Sequence, residues 1–320
     1  MQDRCAVLDD YQNVAMQMAD WSPIAKDVAI EVFHRPLGDE ADVIRALEKF
    51  SIVCAMRERT LFSKAVFEGL PGLRLLVTTG MRNAAIDLAA ARERNVIVCG
   101  TESTGHPTAE LAFGLMLELA RKIGHEHARL KAGAWWQETI GIDLFGKTLG
   151  IVGLGRLGSR AAAIGRAFGM QLIGWSQNLT EDKAREAGAA RVEKDELFRR
   201  ADFITIHLQL SPRTQGLVGA KEFGLMKPSA FLVNTSRGPI VEEAALVAAL
   251  RERRIAGAGL DVYDVEPLPQ DHPLRKMDNA VITPHLGYVT QDTFRIFYRQ
   301  TVDDIRAWLD GKPVRVIGSK

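Results

Sequence analysis

Cysteine is scarce in this chain of 320 residues: Cys5, Cys54 and Cys99 lie far apart, each inside an apolar run. An odd number of isolated thiols excludes a disulfide framework. With no CxxC pair and no Cys/His cluster, no zinc or other metal site is expected, and buried free thiols in a reducing, cytoplasmic compartment are. Long apolar runs are also missing. The most apolar helical stretch, residues 108–120, carries Glu110 and Glu118 and is too short to span a bilayer, so no membrane partner is expected. The opening Met1-Gln2-Asp3-Arg4 has no signal-peptide pattern. Charge of one sign is absent too, with 41 Lys and Arg against 40 Asp and Glu, a net charge of +1. Such a balance supplies no field to hold nucleic acid. No GxSxG elbow occurs, which removes the α/β-hydrolases.

What is present is a chain with 47% hydrophobic and 25% charged residues, enough to bury a core. At about 150 residues per domain, two domains are expected. Short β-rich runs at 6–8, 28–33, 52–56, 73–78 and 96–99 alternate with amphipathic segments at 39–50 and 84–94. One long helix is expected over 108–132, with Leu111, Leu115, Leu119 and Ile123 near helical period. A second alternation follows, with strands at 149–154, 172–175, 203–208, 231–235, 257–262 and 281–283. A last helix, Gln291–Leu309, stops at Gly311 before Pro313. Strand and helix taking turns predict an α/β fold of two doubly wound parallel-sheet lobes, with the break at 100–107.

The second lobe opens with a GxGxxG at Gly153, Gly155 and Gly158, preceded by an apolar strand and followed by a helical pattern. In that context the first glycine makes the tight turn, the second lets backbone approach a pyrophosphate, and the third lets helix pack on strand. The helix amino end then receives the diphosphate. An acid is expected about 20 residues on, to hold the ribose hydroxyls of NAD. Here the strand ends Gly174-Trp175-Ser176-Gln177-Asn178, with no carboxylate before Glu181. A 2′-phosphate is therefore not repelled, and the dinucleotide is NAD or NADP. The nearest cations in sequence are Arg156, Lys183 and Arg185.

Three further segments place unusual polar residues at strand ends: Asn234-Thr235-Ser236-Arg237-Gly238, then Asp261 leading to Glu266-Pro267, then Thr283-Pro284-His285-Leu286-Gly287. Open parallel sheets bind ligands at these ends, so Arg, Glu and His are expected to converge beside a nicotinamide. Hydride transfer to a carbonyl leaves a developing alkoxide that needs a proton donor working near neutral pH, which histidine supplies. A neighbouring carboxylate favours the imidazolium and fixes its ring. A guanidinium is a planar fork suited to a carboxylate.

At this point the sequence resembles the D-isomer-specific 2-hydroxyacid dehydrogenase family over most of its length. The matching blocks are GLGRLG at 153–158, NTSRGPIV at 234–241, GLDVYDVEPLP at 259–269 and TPHLGY at 283–288, with 29 residues from Arg237 to Glu266 and 19 from Glu266 to His285. The resemblance implies that Arg237 binds the substrate carboxylate, that His285 is the acid/base and that Glu266 is its partner. It implies cofactor contacts at Thr108, Arg156, Leu157, Thr235, Ser236 and Asp261, with Ser176 at the ribose position. It also makes Gly80-Met81-Arg82 the loop whose N–H groups meet the carboxylate. The implied architecture is a flavodoxin-like substrate domain, 1–101 completed by 288–320, and a Rossmann-like dinucleotide-binding domain, 102–287. The implied assembly is a homodimer through the region of the long helix. The implied reaction interconverts a small 2-oxo acid and its D-2-hydroxy acid. Glyoxylate, hydroxypyruvate and phenylpyruvate are all admissible, with Met56, Arg57, Met81 and Arg82 as pocket candidates. The family also includes a corepressor, so a dinucleotide-sensing interaction protein is the alternative.

Other signals are weaker. His125-Glu126-His127 has the wrong spacing for a metal site on one helix face. His106 beside Pro107 lies where the chain crosses between lobes, and partial burial is expected for Trp135 and Trp136.

Overall fold

Short runs of Val, Ile, Leu and Cys become strands buried on both faces, as a parallel sheet covered by helices requires. The computed structural model describes residues 2–318. Its first five strands are β1 (Asp3–Val7), β2 (Val28–Val32), β3 (Ile52–Ala55), β4 (Leu75–Thr78) and β5 (Ile97–Gly100). They form an all-parallel sheet in the order β2-β1-β3-β4-β5, which is the flavodoxin-like order. β3 and β4 are buried at every position, whereas edge strand β2 alternates. The helices on this sheet begin at Asp39, Ser63 and Asp87, whose side chains accept the first-turn N–H groups. The helical pattern read over 84–94 is shorter in the fold, Leu88–Glu93. Residues 85–87 bridge instead to Phe62, which uses their backbone groups before the helix can start. The final helix, Gln291–Leu309, packs against β4 and β5, and Val316 then pairs antiparallel with Cys99. All three cysteines are buried and free.

The second sheet contains β6 (Thr148–Val152), β7 (Gln171–Trp175), β8 (Ala190–Arg191), β9 (Phe203–Ile206), β10 (Phe231–Asn234), β11 (Gly257–Leu260) and β12 (Ala280–Ile282). Its order, β12-β11-β10-β9-β6-β7-β8, is parallel throughout and reverses direction between β6 and β9. That is the doubly wound dinucleotide-fold order with one more strand at its edge, and the reversal is the usual place for a ligand. One apolar core lies on each face. Ile204, Ile206 and Leu232 belong to one, and Leu149, Phe203 and Val233 to the other.

The chain separates into two units, one running up to Thr104 and resuming at Thr290, the other Gly105–Val289. The single helix expected over 108–132 is two, His106–Arg121 and Ile123–Lys131. Lys122 sits between them at φ 52°, in the left-handed region, and its N–H closes on the Glu118 carbonyl. The first helix buries seven side chains and the second none, so no packing holds the second to the same axis.

Candidate active site

The carboxyl ends of the second sheet's strands assemble the site. β6 runs into Gly153, whose φ of 100° suits glycine, and a Cβ there would stand 2.7 Å from the His207 carbonyl oxygen. A Cβ on Gly158 would collide with the Gly153 carbonyl oxygen, whereas nothing lies within 4 Å of the corresponding point on Gly155. The helix Arg156–Ala167 therefore starts against open space, and no side chain among the described residues caps its first turn. A free helix amino end behind a glycine turn is an anion site. Arg156 is exposed on this first turn and Leu157 half-buried. Ser176, just beyond β7, holds the same loop in place: its Oγ accepts the Leu154 N–H at 2.9 Å.

The strand pairings run Val152 to Ile206, Ile206 to Asn234, Asn234 to Leu260 and Leu260 to Ile282. One residue further along, Gly153, His207, Thr235, Asp261 and Thr283 form a row across the rim, on one face of the sheet. Two polar atoms in this row have no hydrogen-bond partner among the described residues, His207 Nδ1 and Thr235 Oγ1, and both side chains are buried. Orphaned buried polar atoms beside an uncapped helix and an open glycine turn fit a bound dinucleotide. Ser236 is otherwise engaged, its Oγ donating to the Ile206 carbonyl at 2.7 Å.

Asp261 is fully buried and serves as an anchor. Its carboxylate accepts from Thr283 Oγ1 at 2.7 Å, from the Leu286 N–H at 2.6 Å and from the Gly287 N–H at 2.8 Å. Burial pushes its carboxyl pKa up, against these hydrogen bonds. Thr108 Oγ1 holds the other side of that turn, donating to the Gly287 carbonyl at 2.8 Å. Between these anchors His285 takes a φ of 55°. A left-handed histidine is uncommon and such strain concentrates at functional sites. Its Nδ1 lies 2.6 Å from Glu266 Oε2, while Glu266 Oε1 accepts the Tyr263 N–H at 3.1 Å. The ring of Tyr288 packs edge-on against the imidazole, centroids 5.7 Å apart at 73°. Arg237 follows β10 on the same rim in extended backbone, half-buried, with Nη1 donating to the Ser236 carbonyl at 2.7 Å.

The structure thus brings Glu266 and His285 into contact, and Asp261 and Thr108 both hold the turn that carries His285. His207, which sequence reasoning missed, stands in the same row. Its signal was available only as a histidine directly after an apolar strand.

In the other unit, the loop after β4 holds Gly80, Met81 and Arg82. The Gly80 N–H donates to Thr101 Oγ1 at 2.9 Å, so that amide is already engaged. Arg57, at φ 52°, lays its guanidinium over Gly80 and donates to the Thr79 carbonyl at 3.2 Å, and Asn83 Nδ2 donates to the Arg57 carbonyl at 2.6 Å. Elsewhere, His106 is exposed at the start of its helix, and His125 Nε2 pairs with Glu138 at 3.1 Å. Trp135 and Trp136 are 90% and 61% exposed, not partly buried as expected, because the segment around them, 131–140, buries none of its residues.

The sequence model of one family, "D-isomer specific 2-hydroxyacid dehydrogenase, NAD binding domain", matches residues 113–287. The chain belongs to that family. A glyoxylate reductase from Aeropyrum pernix is 37% identical over 298 residues, covering 89% of this chain and 88% of its own. A D-3-phosphoglycerate dehydrogenase from Methanocaldococcus jannaschii is 38% identical over 263 residues, 81% of this chain; the match spans only 50% of that longer protein. Among solved structures, a phosphoglycerate oxidoreductase from Vibrio cholerae O395 superimposes with a TM-score of 0.92 at 33% identity, covering 97% of this chain and 100% of its own. An NAD-binding domain shared with named reductases and dehydrogenases agrees with the nicotinamide dinucleotide expected from the glycine loop. It favours hydride transfer over the corepressor-like alternative. No helix among the described residues of this 2-hydroxyacid dehydrogenase relative is long and apolar enough to cross a membrane.

Proposed function

We propose that this chain is a cytoplasmic oxidoreductase that reversibly passes a hydride between NAD(P)H and a small 2-oxo acid, giving the D-2-hydroxy acid. The observation that carries the reading is the 2.6 Å contact between His285 Nδ1 and Glu266, on the same sheet rim as the glycine turn. The dinucleotide supplies the hydride when bound. Glu266 holds Nδ1 and leaves Nε2 to give its proton to the carbonyl oxygen as that oxygen becomes an alkoxide. Asp261 and Thr108 fix the turn that aims His285, and Arg237 binds the substrate carboxylate and polarises the carbonyl. The unit carrying Gly80, Met81 and Arg82 is the substrate domain, with Met81, Arg82 and Arg57 as its candidates for contact with the oxo acid.

Ser176 stands where an acid would repel a 2′-phosphate, and its hydroxyl is engaged with the Leu154 N–H. This supports acceptance of NADPH as well as NADH. A homodimer is supported by the arm over 130–145, where Leu130, Trp135, Ile140 and Phe145 are 62%, 90%, 99% and 80% exposed. An apolar surface of that extent is seldom left to solvent. Glu126 holds the arm in shape by accepting the Glu138 and Thr139 N–H groups.

The test is oxidation of NADH and of NADPH over a panel of 2-oxo acids including glyoxylate, hydroxypyruvate and phenylpyruvate. Turnover with at least one acid is expected, with the D product, and no turnover with any would overturn the reading. Light scattering of the wild type and of Trp135→Glu/Phe145→Glu tests the assembly: a dimer that the double variant splits is expected, and a monomeric wild type would refute it.

A further inference from the structure

His207 is a buried titratable group that the reaction just described does not use. It follows β9 directly, and its ring is more than nine-tenths buried. Nε2 lies 3.0 Å from the hydroxyl of Thr205, which is itself fully buried, while Nδ1 has no hydrogen-bond partner among the described residues. Desolvation holds its pKa down at about 4, so the ring is neutral near neutral pH. A neutral imidazole has one donor and one acceptor nitrogen, so either tautomer leaves one capacity unmet at Nδ1. Leaving such a group unsatisfied inside a protein is costly.

Its position says what meets it. The His207 carbonyl lies against Gly153, the first glycine of the anion-binding turn. On the other side, by strand register, comes Thr235, whose Oγ1 is also unpartnered, and then Asp261 at the His285 turn. The two orphaned atoms thus sit side by side between the phosphate end and the hydride-transfer end of the rim. We infer that His207 is a dinucleotide-binding residue, its Nδ1 hydrogen-bonding the bound cofactor between the diphosphate and the nicotinamide, with Thr235 beside it. A neutral ring suits that place, because a charged one would repel the oxidised nicotinamide. The inference rests on the nicotinamide-dinucleotide reading above.

The test is the dissociation constant of NADH and of NADPH, from fluorescence, for the wild type and for His207→Asn, His207→Gln and His207→Phe. The Asn amide reproduces Nδ1 and the Gln amide reproduces Nε2. His207→Asn should bind within about two-fold of the wild type, and His207→Gln and His207→Phe about five-fold more weakly, one net hydrogen bond. Wild-type affinity in the Phe and Gln variants would overturn the assignment. So would equal loss in all three, which would mean that the ring only packs. Should the variants unfold, histidine ¹⁵N spectra of the unaltered protein decide: the Nδ1 signal of His207 moves on addition of NADH, and an unmoved signal refutes the contact. A wild type that binds neither nucleotide would instead sink the cofactor reading itself.

Discussion

His285 Nδ1 and a carboxylate oxygen of Glu266 stand 2.6 Å apart although they lie 19 positions apart in the sequence, and the second Glu266 oxygen is tied to the Tyr263 N–H. The carboxylate is therefore fixed from behind and the imidazole is fixed by it. If Nε2 is the proton donor, His285→Gln should lower the rate of oxo-acid reduction by about a hundred- to ten-thousand-fold. Glu266→Gln should cost up to about a hundred-fold, through loss of orientation. Both variants should bind NADH as the wild type does, since neither residue lies at the glycine turn. A His285→Gln enzyme with undiminished turnover would end the proposed mechanism.

Tyr288 bounds the other side of the same imidazole. Its ring crosses that of His285 at 73°, and Asp261 pins the residues between them. Replacing the ring by Leu should free the imidazole to rotate and lower kcat by about two- to ten-fold, the equivalent of an aromatic contact of about 0.5–1.5 kcal/mol. Tyr288→Phe keeps the ring and should restore kcat, with KM for the oxo acid little changed in both. A Phe variant as impaired as the Leu variant would show that the hydroxyl, not the ring, matters.

Much of this site is legible in the chain because its parts break local rules. Glycines at 153, 155 and 158 between a strand and a helix have few other uses, and Arg237, Glu266 and His285 each follow an apolar run that ends on the same rim. What was not legible is tertiary. The apolar spacing of Leu111, Leu115, Leu119 and Ile123 runs straight through Lys122, and only the loss of a packing partner explains why the helix breaks there. His207 reads as an ordinary polar residue until the sheet register sets it between Gly153 and Thr235. Asp261 reads as a ligand for the cofactor, yet its oxygens first hold the turn that carries His285. The engagement of the Gly80 amide by Thr101 depends on β4 and β5 lying side by side.

Ser176 offers a direct test of the cofactor choice. Introducing a carboxylate by Ser176→Asp should weaken NADPH binding about ten- to a hundred-fold by setting like charges together. NADH binding should hold or tighten as ribose hydroxyls gain an acceptor. The ratio of the two dissociation constants is the measurement. An unchanged ratio would mean that residue 176 does not face the 2′ position.

Two buried groups should give the stability a pH dependence of opposite signs. Asp304, fully buried on the final helix 2.9 Å from Arg315, has its carboxyl pKa raised to about 7 by desolvation, more than Arg315 lowers it. Between its unfolded value of 3.8 and about 7 the native state binds the extra proton. This contribution is therefore fully present at low pH and is lost as pH rises through 7. His207 goes the other way: its pKa falls from 6.5 to about 4 on folding, so the unfolded state binds the proton in that interval and acid destabilises. Urea unfolding at pH 4.5 and 7.5, expressed as the difference between wild type and variant, separates them. Asp304→Asn should lose relative stability at the lower pH, and His207→Asn should gain it there. An Asp304→Asn difference that does not move with pH would show that this carboxylate is ionised across the whole range.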